Sequence, residues 1–326
     1  EQGKRLVLDW AARAQVVVEG FRPGVVDRLG IGYDAVRELN TAIVYCSISG
    51  YGQQGPLAQQ AGHDLNYCSL AGITEQSGSS GDRPAISAFQ IADLAGGTLT
   101  ASTAILAALY KARDQGKGSY LDVAMADSVL AHSVFNLATC LEFTSTPRRG
   151  EGLLTGGLPC YGVYETADGR YLALAALETK FWRRFCEAVD RSDLFDKQAA
   201  SGPQGEAVRN DLATLFRSKS LADWLTLLEP ADCCVNAVLN TSEALSNPQF
   251  RARGLFLGGE ATESPVEGFA FPVQVDGTAP ACETVAPNYG EQGTAILAEL
   301  GLSDEEIEAL SEAGVVRIPE SSEEGG

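Results

Sequence analysis

Histidine is scarce in this chain, with only His63 and His132 among 326 residues. Few side chains can therefore exchange a proton near neutral pH, and a histidine-based zinc site has no material to be built from. Positive charge is scarce as well. Lys and Arg number 24 against 43 Asp and Glu, a formal net charge of −19. That field repels nucleic acid and anionic membrane surfaces, so neither is expected as a partner. Any anionic ligand must be met by a local basic patch. The eight cysteines (46, 68, 140, 160, 186, 233, 234 and 282) form no C-x-x-C pair and mostly sit among apolar neighbours. They read as buried, reduced thiols of a cytoplasmic protein, not as a disulfide or metal framework. No signal peptide and no apolar run of about 18 residues is evident. No peroxisomal address stands at Glu323-Glu324-Gly325-Gly326. No G-x-G-x-x-G follows a strand, which removes a dinucleotide-dependent dehydrogenase from consideration.

What is present reads as an α/β protein. Hydrophobic content of 45% suits a globular chain, and the length favours two domains. Val16–Glu19, Ala42–Ser49 and Tyr120–Val123 read as buried strands of a parallel sheet. Helices are expected at Val25–Leu29, Tyr33–Asn40, Leu94–Arg113 and Ala124–Cys140. A break over residues 144–152 suggests a domain boundary, giving 1–150 with 286–326 as a large domain and 151–285 as a smaller α+β domain with linkers. There, runs flanking Ala167-Asp168-Gly169 predict a hairpin. Phe181–Val189 and Ala222–Leu228 predict helices, and Pro272–Val275 predicts a strand. Ser303 with Glu306 forms a capping box for a last helix ended by Gly314, with Arg317–Gly326 as a frayed tail.

The chemistry-bearing stretch is Gly62-His63-Asp64-Leu65-Asn66-Tyr67, followed thirty positions later by Asp93. The Gly/Gln-rich approach from Gly50 reads as a loop leaving a strand's carboxyl end, where α/β sheets collect ligands. His63 there is a candidate acid or base. Asp93 precedes a long apolar helix, where the macrodipole would keep its carboxylate ionised. Blander readings stand beside these: a solvated loop histidine, an N-cap aspartate, and site-wall or packing roles for Asn66 and Tyr67. His132 reads as a core or interface residue, and Cys233 and Cys234 as core. The five basic residues Lys4, Arg5, Arg13, Arg22 and Arg28 form the one stretch with a claim to an anion-binding patch.

Several segments resemble the class III CoA-transferase (CaiB/BaiF) family, and within it most closely the α-methylacyl-CoA racemase branch. They include Glu19-Gly20-Phe21-Arg22-Pro23-Gly24, Leu29-Gly30-Ile31-Gly32-Tyr33, Tyr45–Gly52, Gly62–Tyr67, Phe89–Gly97 and Asn247–Gly254. The resemblance implies a Rossmann-like large domain, a smaller domain and an interlocked homodimer. The active site would lie between the large domain of one subunit and the small domain of its partner. It implies His63 and Asp93 as the two proton carriers, with Glu178 pairing with the histidine. Arg28 matches the phosphate-binding arginine, and Arg22, Gly62, Asp64 and Tyr67 fall on the substrate side, the Asp64 N–H facing the enolate oxygen. The implied substrate is an acyl-CoA thioester, with no cofactor beyond the coenzyme A it carries. Three activities fit: a racemase inverting the α-carbon; a transferase using Asp93 as nucleophile, through an acyl anhydride and then an aspartyl-CoA thioester; and a non-catalytic acyl-CoA-binding remnant. The last is kept open because the βαβ unit that opens other family members has no counterpart before Glu1, so that either this chain is a fragment or its CoA site is incomplete.

Overall fold

The computed structural model describes residues 1–143, 147–258, 266–278 and 287–318. The chain divides into two compact units, Glu1–Thr155 with Tyr289–Gly326, and Gly156–Asn288.

The first unit is built on a parallel sheet of β1 (Val16–Glu19), β2 (Val44–Ser49) and β3 (Ser119–Ala124), in that order. Val16 pairs with Val44, and Val44 with Ser119. The central strand is buried along almost its whole length, as expected of a parallel strand covered on both faces. Gly118 permits the pairing, because a Cβ there would collide with the Ile43 carbonyl. Ala101, Ala108 and Ala112 of the helix Thr100–Gln115 pack on one face of the sheet, against Val44, Cys46 and Val123. Ala11, Val36, Ile43 and Tyr45 form a further cluster. Its Ala11 belongs to a helix, Gln2–Ala11, that sequence reading did not foresee. Arg13, just past it, donates to the carbonyls of Glu299 and Leu300 and so ties the C-terminal helices into this unit.

Two long helices differ from expectation. The expected Leu94–Arg113 helix starts earlier, and its first part, Ala92–Leu99, is a π-helix that runs into Thr100–Gln115. Two threonines support the wide register. Thr98 Oγ1 donates to the Asp93 carbonyl at 3.1 Å and Thr100 Oγ1 to the Ala95 carbonyl at 3.0 Å, each reaching back five residues. Gly96 allows close approach, since a Cβ there would lie 3.0 Å from the Met125 carbonyl. The merged Ala92–Gln115 run is, by length and composition, long and apolar enough to cross a membrane, which sequence reading did not find; its inner face packs on the sheet as a core helix does. The expected Ala124–Cys140 helix is two helices, Met125–His132 and Val134–Phe143, separated at Ser133, whose ψ of 42° leaves the helical region.

In the second unit β4 (Tyr161–Glu165) and β5 (Tyr171–Ala175) form the expected antiparallel hairpin, and β6 (Val235–Ala237) joins β5. Asp168 shapes the turn, accepting from Thr166 Oγ1 at 2.5 Å and from the Leu221 N–H at 3.2 Å. Helices Thr179–Ala188, Gly202–Phe216 and Leu221–Leu228 close over a core of Trp182, Phe185, Leu212, Phe216 and Trp224. Pro272–Val275 is not a strand. Val275 makes only an isolated bridge to Thr278, and the local pair is β7 (Phe256–Gly258) with β8 (Val266–Phe269). Pro272 has no N–H to give a ladder. The last helix, Asp304–Glu312, carries the Ser303/Glu306 capping box. Residues 144–146 of the break and 319–326 of the tail lie outside the described residues.

Candidate active site

The parallel sheet puts three chain segments at one edge. Gly20 follows β1, Gly50 follows β2 and Met125 follows β3, and all three line a cleft of about 280 Å³. The same cleft takes in Phe21, Arg22, Ile48, Gly62, His63 and Tyr67. It therefore lies beyond the carboxyl ends of the strands, where open α/β sheets bind ligands.

His63 is exposed on this cleft, but not on an open loop. It is the N-cap of a helix, Asp64–Leu70, and its backbone N–H donates to Asn66 Oδ1 at 3.1 Å. The expected loop from Gly50 ends at His63, and the two-turn helix after it, which sequence reading did not foresee, opens on a His63/Asn66 capping box. Asp64 is the first helical residue, so its N–H has no intrahelical acceptor. Tyr67 is buried, with 5% of its surface exposed, and seats the loop. Its hydroxyl donates to the Gly62 carbonyl at 2.5 Å, and its ring meets Tyr51 edge-on at 5.1 Å. Gly50 and Gly62 make room for that ring: a Cβ on Gly62 would lie 2.6 Å from it, and one on Gly50 closer still. Tyr67→Phe removes the hydroxyl and leaves the Gly62 carbonyl without its donor. A loss of about 1 kcal/mol is expected, read as a lower midpoint in chemical denaturation; an unchanged midpoint would show the bond to be idle.

Asp93 is the second residue of the π-helix, not its cap, and its side chain is exposed. It does not line the cleft, but it is near enough to His63 and Tyr67 to interact electrostatically with both. Helix-end stabilisation is not the dominant influence on its ionisation. Its carboxyl is pushed above the usual aspartate value, first by loss of water to the surrounding wall, then by the like charge of Asp64, with His63 pulling the other way. Tyr67 is pushed up by burial, then by Tyr51 and Asp93.

The basic patch divides. Arg22 lines the cleft of His63. Arg28 does not; it lines a separate cavity of about 640 Å³ with Lys4, Trp10 and Leu297. Arg5 pairs loosely with Asp9 at 4.0 Å, and Arg13 is used on Glu299 and Leu300. Glu178 belongs to the second unit, exposed, as N-cap of the helix Thr179–Ala188. His132 is exposed at a helix end rather than in a core, its Nδ1 2.7 Å from the Ser128 carbonyl. Cys140 is also exposed and Cys234 half-buried, whereas Cys46, Cys68, Cys160, Cys186 and Cys233 are buried thiols. Burial pushes Cys186 up to about 12 and Cys46 up to about 11, so neither is a nucleophile near neutrality. Cys282 lies outside the described residues. Among the described residues no group of three His, Cys, Asp or Glu side chains is placed to hold a metal ion.

The fold is that of an α/β protein whose parallel sheet carries a histidine at its carboxyl edge, with an aspartate near it. The model of CoA-transferase family III matches residues 1–293. The α-methylacyl-CoA racemase of Mus musculus is 32% identical over 97% of this chain and 82% of its own. The succinate–glutarate CoA-transferase of Agrobacterium fabrum is 30% identical over 92% of this chain and 76% of its own. A CaiB/BaiF family protein from Brucella suis superposes with a TM-score of 0.77 at 26% identity, over 92% of this chain and 79% of that one. The chain belongs to the class III CoA-transferase (CaiB/BaiF) family.

Proposed function

We propose that this enzyme is an acyl-CoA racemase, exchanging the α-proton of a 2-methylacyl-CoA through an enolate. The observation that carries the reading is the pairing of His63, on the cleft, with Asp93, electrostatically coupled to it. An α-proton next to a thioester carbonyl is acidified but still hard to remove, and two fixed groups of unlike proton affinity can pass it across the carbon. His63 serves one face and Asp93 the other. The enolate oxygen needs a fixed donor, and the Asp64 N–H at the helix start is assigned that role. Arg22 is the cation on the cleft available to an acyl-CoA phosphate. Glu178 as partner of the imidazole, Arg28 as a phosphate ligand, the homodimer and a cytoplasmic location enter through the family resemblance alone.

The transferase reading has its own support in the transferases among the relatives and in the exposure of the Asp93 carboxyl. One experiment separates the two. A single enantiomer of a 2-methylacyl-CoA is incubated with the enzyme in D2O, and a second sample receives free succinate. Deuterium entry with loss of chirality and no new thioester is the expected result. A new thioester that depends on succinate would replace this reading with the transferase. The pH dependence is a further check. In the direction where Asp93 is the base, its carboxyl must be ionised, so the rate falls as pH drops through its pKa. Because that pKa is raised, the acid limb of kcat is expected above the ordinary aspartate range; a limb at or below it would contradict the assignment.

A further inference from the structure

The two candidate proton carriers lie on different elements, His63 capping one helix and Asp93 opening another. A proton shuttle across one carbon tolerates little error in their separation, since misplacement by about 1 Å can cost 100-fold. One side chain joins the two elements. Asp64, next to His63, is half-buried, and its Oδ1 accepts from the Ala92 N–H at 2.6 Å and from the Asp93 N–H at 3.2 Å. Its Oδ2 takes the Cys68 thiol at 3.7 Å, one turn further along the same helix. The Ala92 and Asp93 amides open the π-helix and lack acceptors within it. A carboxylate there satisfies both and meets the positive end of that helix.

We infer that the Asp64 carboxylate is a positioning residue, clamping the first turn of the π-helix to the helix that His63 caps and so setting the distance between His63 and Asp93. This rests on the proposed racemase reading for its catalytic consequence, but the clamp itself is a structural statement. The carboxylate does a second thing from the same place. Its charge opposes ionisation of Asp93, so it tunes the proton affinity of the group whose backbone it holds. Two roles of one residue can be separated, because an asparagine keeps an acceptor oxygen and loses the charge.

The test uses the whole chain, as wild type, Asp64→Asn and Asp64→Ala. Hydrogen–deuterium exchange of the peptide spanning residues 90–99 reads the clamp without any turnover. Asp64→Ala is expected to speed amide exchange there by tenfold or more, while Asp64→Asn stays near wild type. Equal protection in wild type and Asp64→Ala would overturn the clamp. The second arm is α-proton exchange on the acyl-CoA. Asp64→Ala is expected to lower kcat by tenfold or more with KM little changed. Asp64→Asn is expected to move the acid limb of kcat to lower pH. An unmoved limb in Asp64→Asn would overturn the tuning role. If wild type catalyses no α-proton exchange, the racemase reading fails, and the amide arm still decides the clamp.

Discussion

On the proposed racemase reading, His63→Ala is expected to slow stereoinversion of a 2-methylacyl-CoA by about 10²–10⁴-fold, the usual contribution of a positioned acid or base. The size follows from the scarcity of alternatives. The chain's other histidine, His132, is exposed at a helix end and bonded to its own backbone. The buried thiols are driven further from ionisation by their surroundings. Tyr67, a hydroxyl on the cleft wall, is committed to the Gly62 carbonyl and pushed up by burial. The substitution should leave the fold intact, since His63 is exposed and contributes nothing to the core clusters. Chirality of the acyl group, followed by NMR or chiral chromatography against wild type, measures the loss. A variant that inverts its substrate at a rate within a few-fold of wild type would end the two-base reading.

The second large effect is on stability. Trp182→Ala is expected to cost about 3–5 kcal/mol, as deletion of a buried aromatic does. Trp182 is wholly buried between Phe185, 5.4 Å away, and the rest of the second unit's core. Its Nε1 donates to the Leu194 carbonyl at 2.9 Å, so truncation leaves a cavity and an unpaired acceptor together. The same helix begins at Glu178. Loosening it therefore removes the support of the residue that the family resemblance pairs with the imidazole. Urea unfolding followed by circular dichroism measures the change. With a slope of about 1–3 kcal/mol per molar, the midpoint should drop by a molar or more. A midpoint indistinguishable from wild type would mean that the helix is held by other contacts.

The parts legible from sequence were those whose signal is local. β-branched runs marked β1 and β2, the Asp168-Gly169 turn marked the hairpin, and Ser303 with Glu306 marked the last helix. The parts that were not legible depend on partners distant in sequence. The helix Gly202–Phe216 opens with Gly202, Pro203 and Gly205, which look like a loop; Pro203 is tolerated in a first turn, and Gly205 is needed because a Cβ would strike the Ala200 carbonyl. The helix Gln2–Ala11 is held through Ala11 and Leu8 against the cluster under β2. The π-register of Ala92–Leu99 draws on a close approach to Met125 that no local pattern announces. In the site, the types of His63 and Asp93 could be read, but their electrostatic balance could not. The Asp93 shift comes from Asp64 and from lost water, both products of the folded arrangement. Arg22 and Arg28 stood in one basic stretch of the sequence, and the fold sends them to different cavities.

The π-helix has a consequence for how this family could vary. Its effect on Asp93 is written in the number of residues, not in their identity. Removing one residue between Asp93 and Thr100 would restore the tighter coil and turn Asp93 by about 100° around the axis. Replacing a side chain in the segment leaves that count unchanged, although Thr98 and Thr100 support the register it sets. The residue count that sets the direction of this carboxyl is thus altered through insertion and deletion, a kind of change that point substitution never samples.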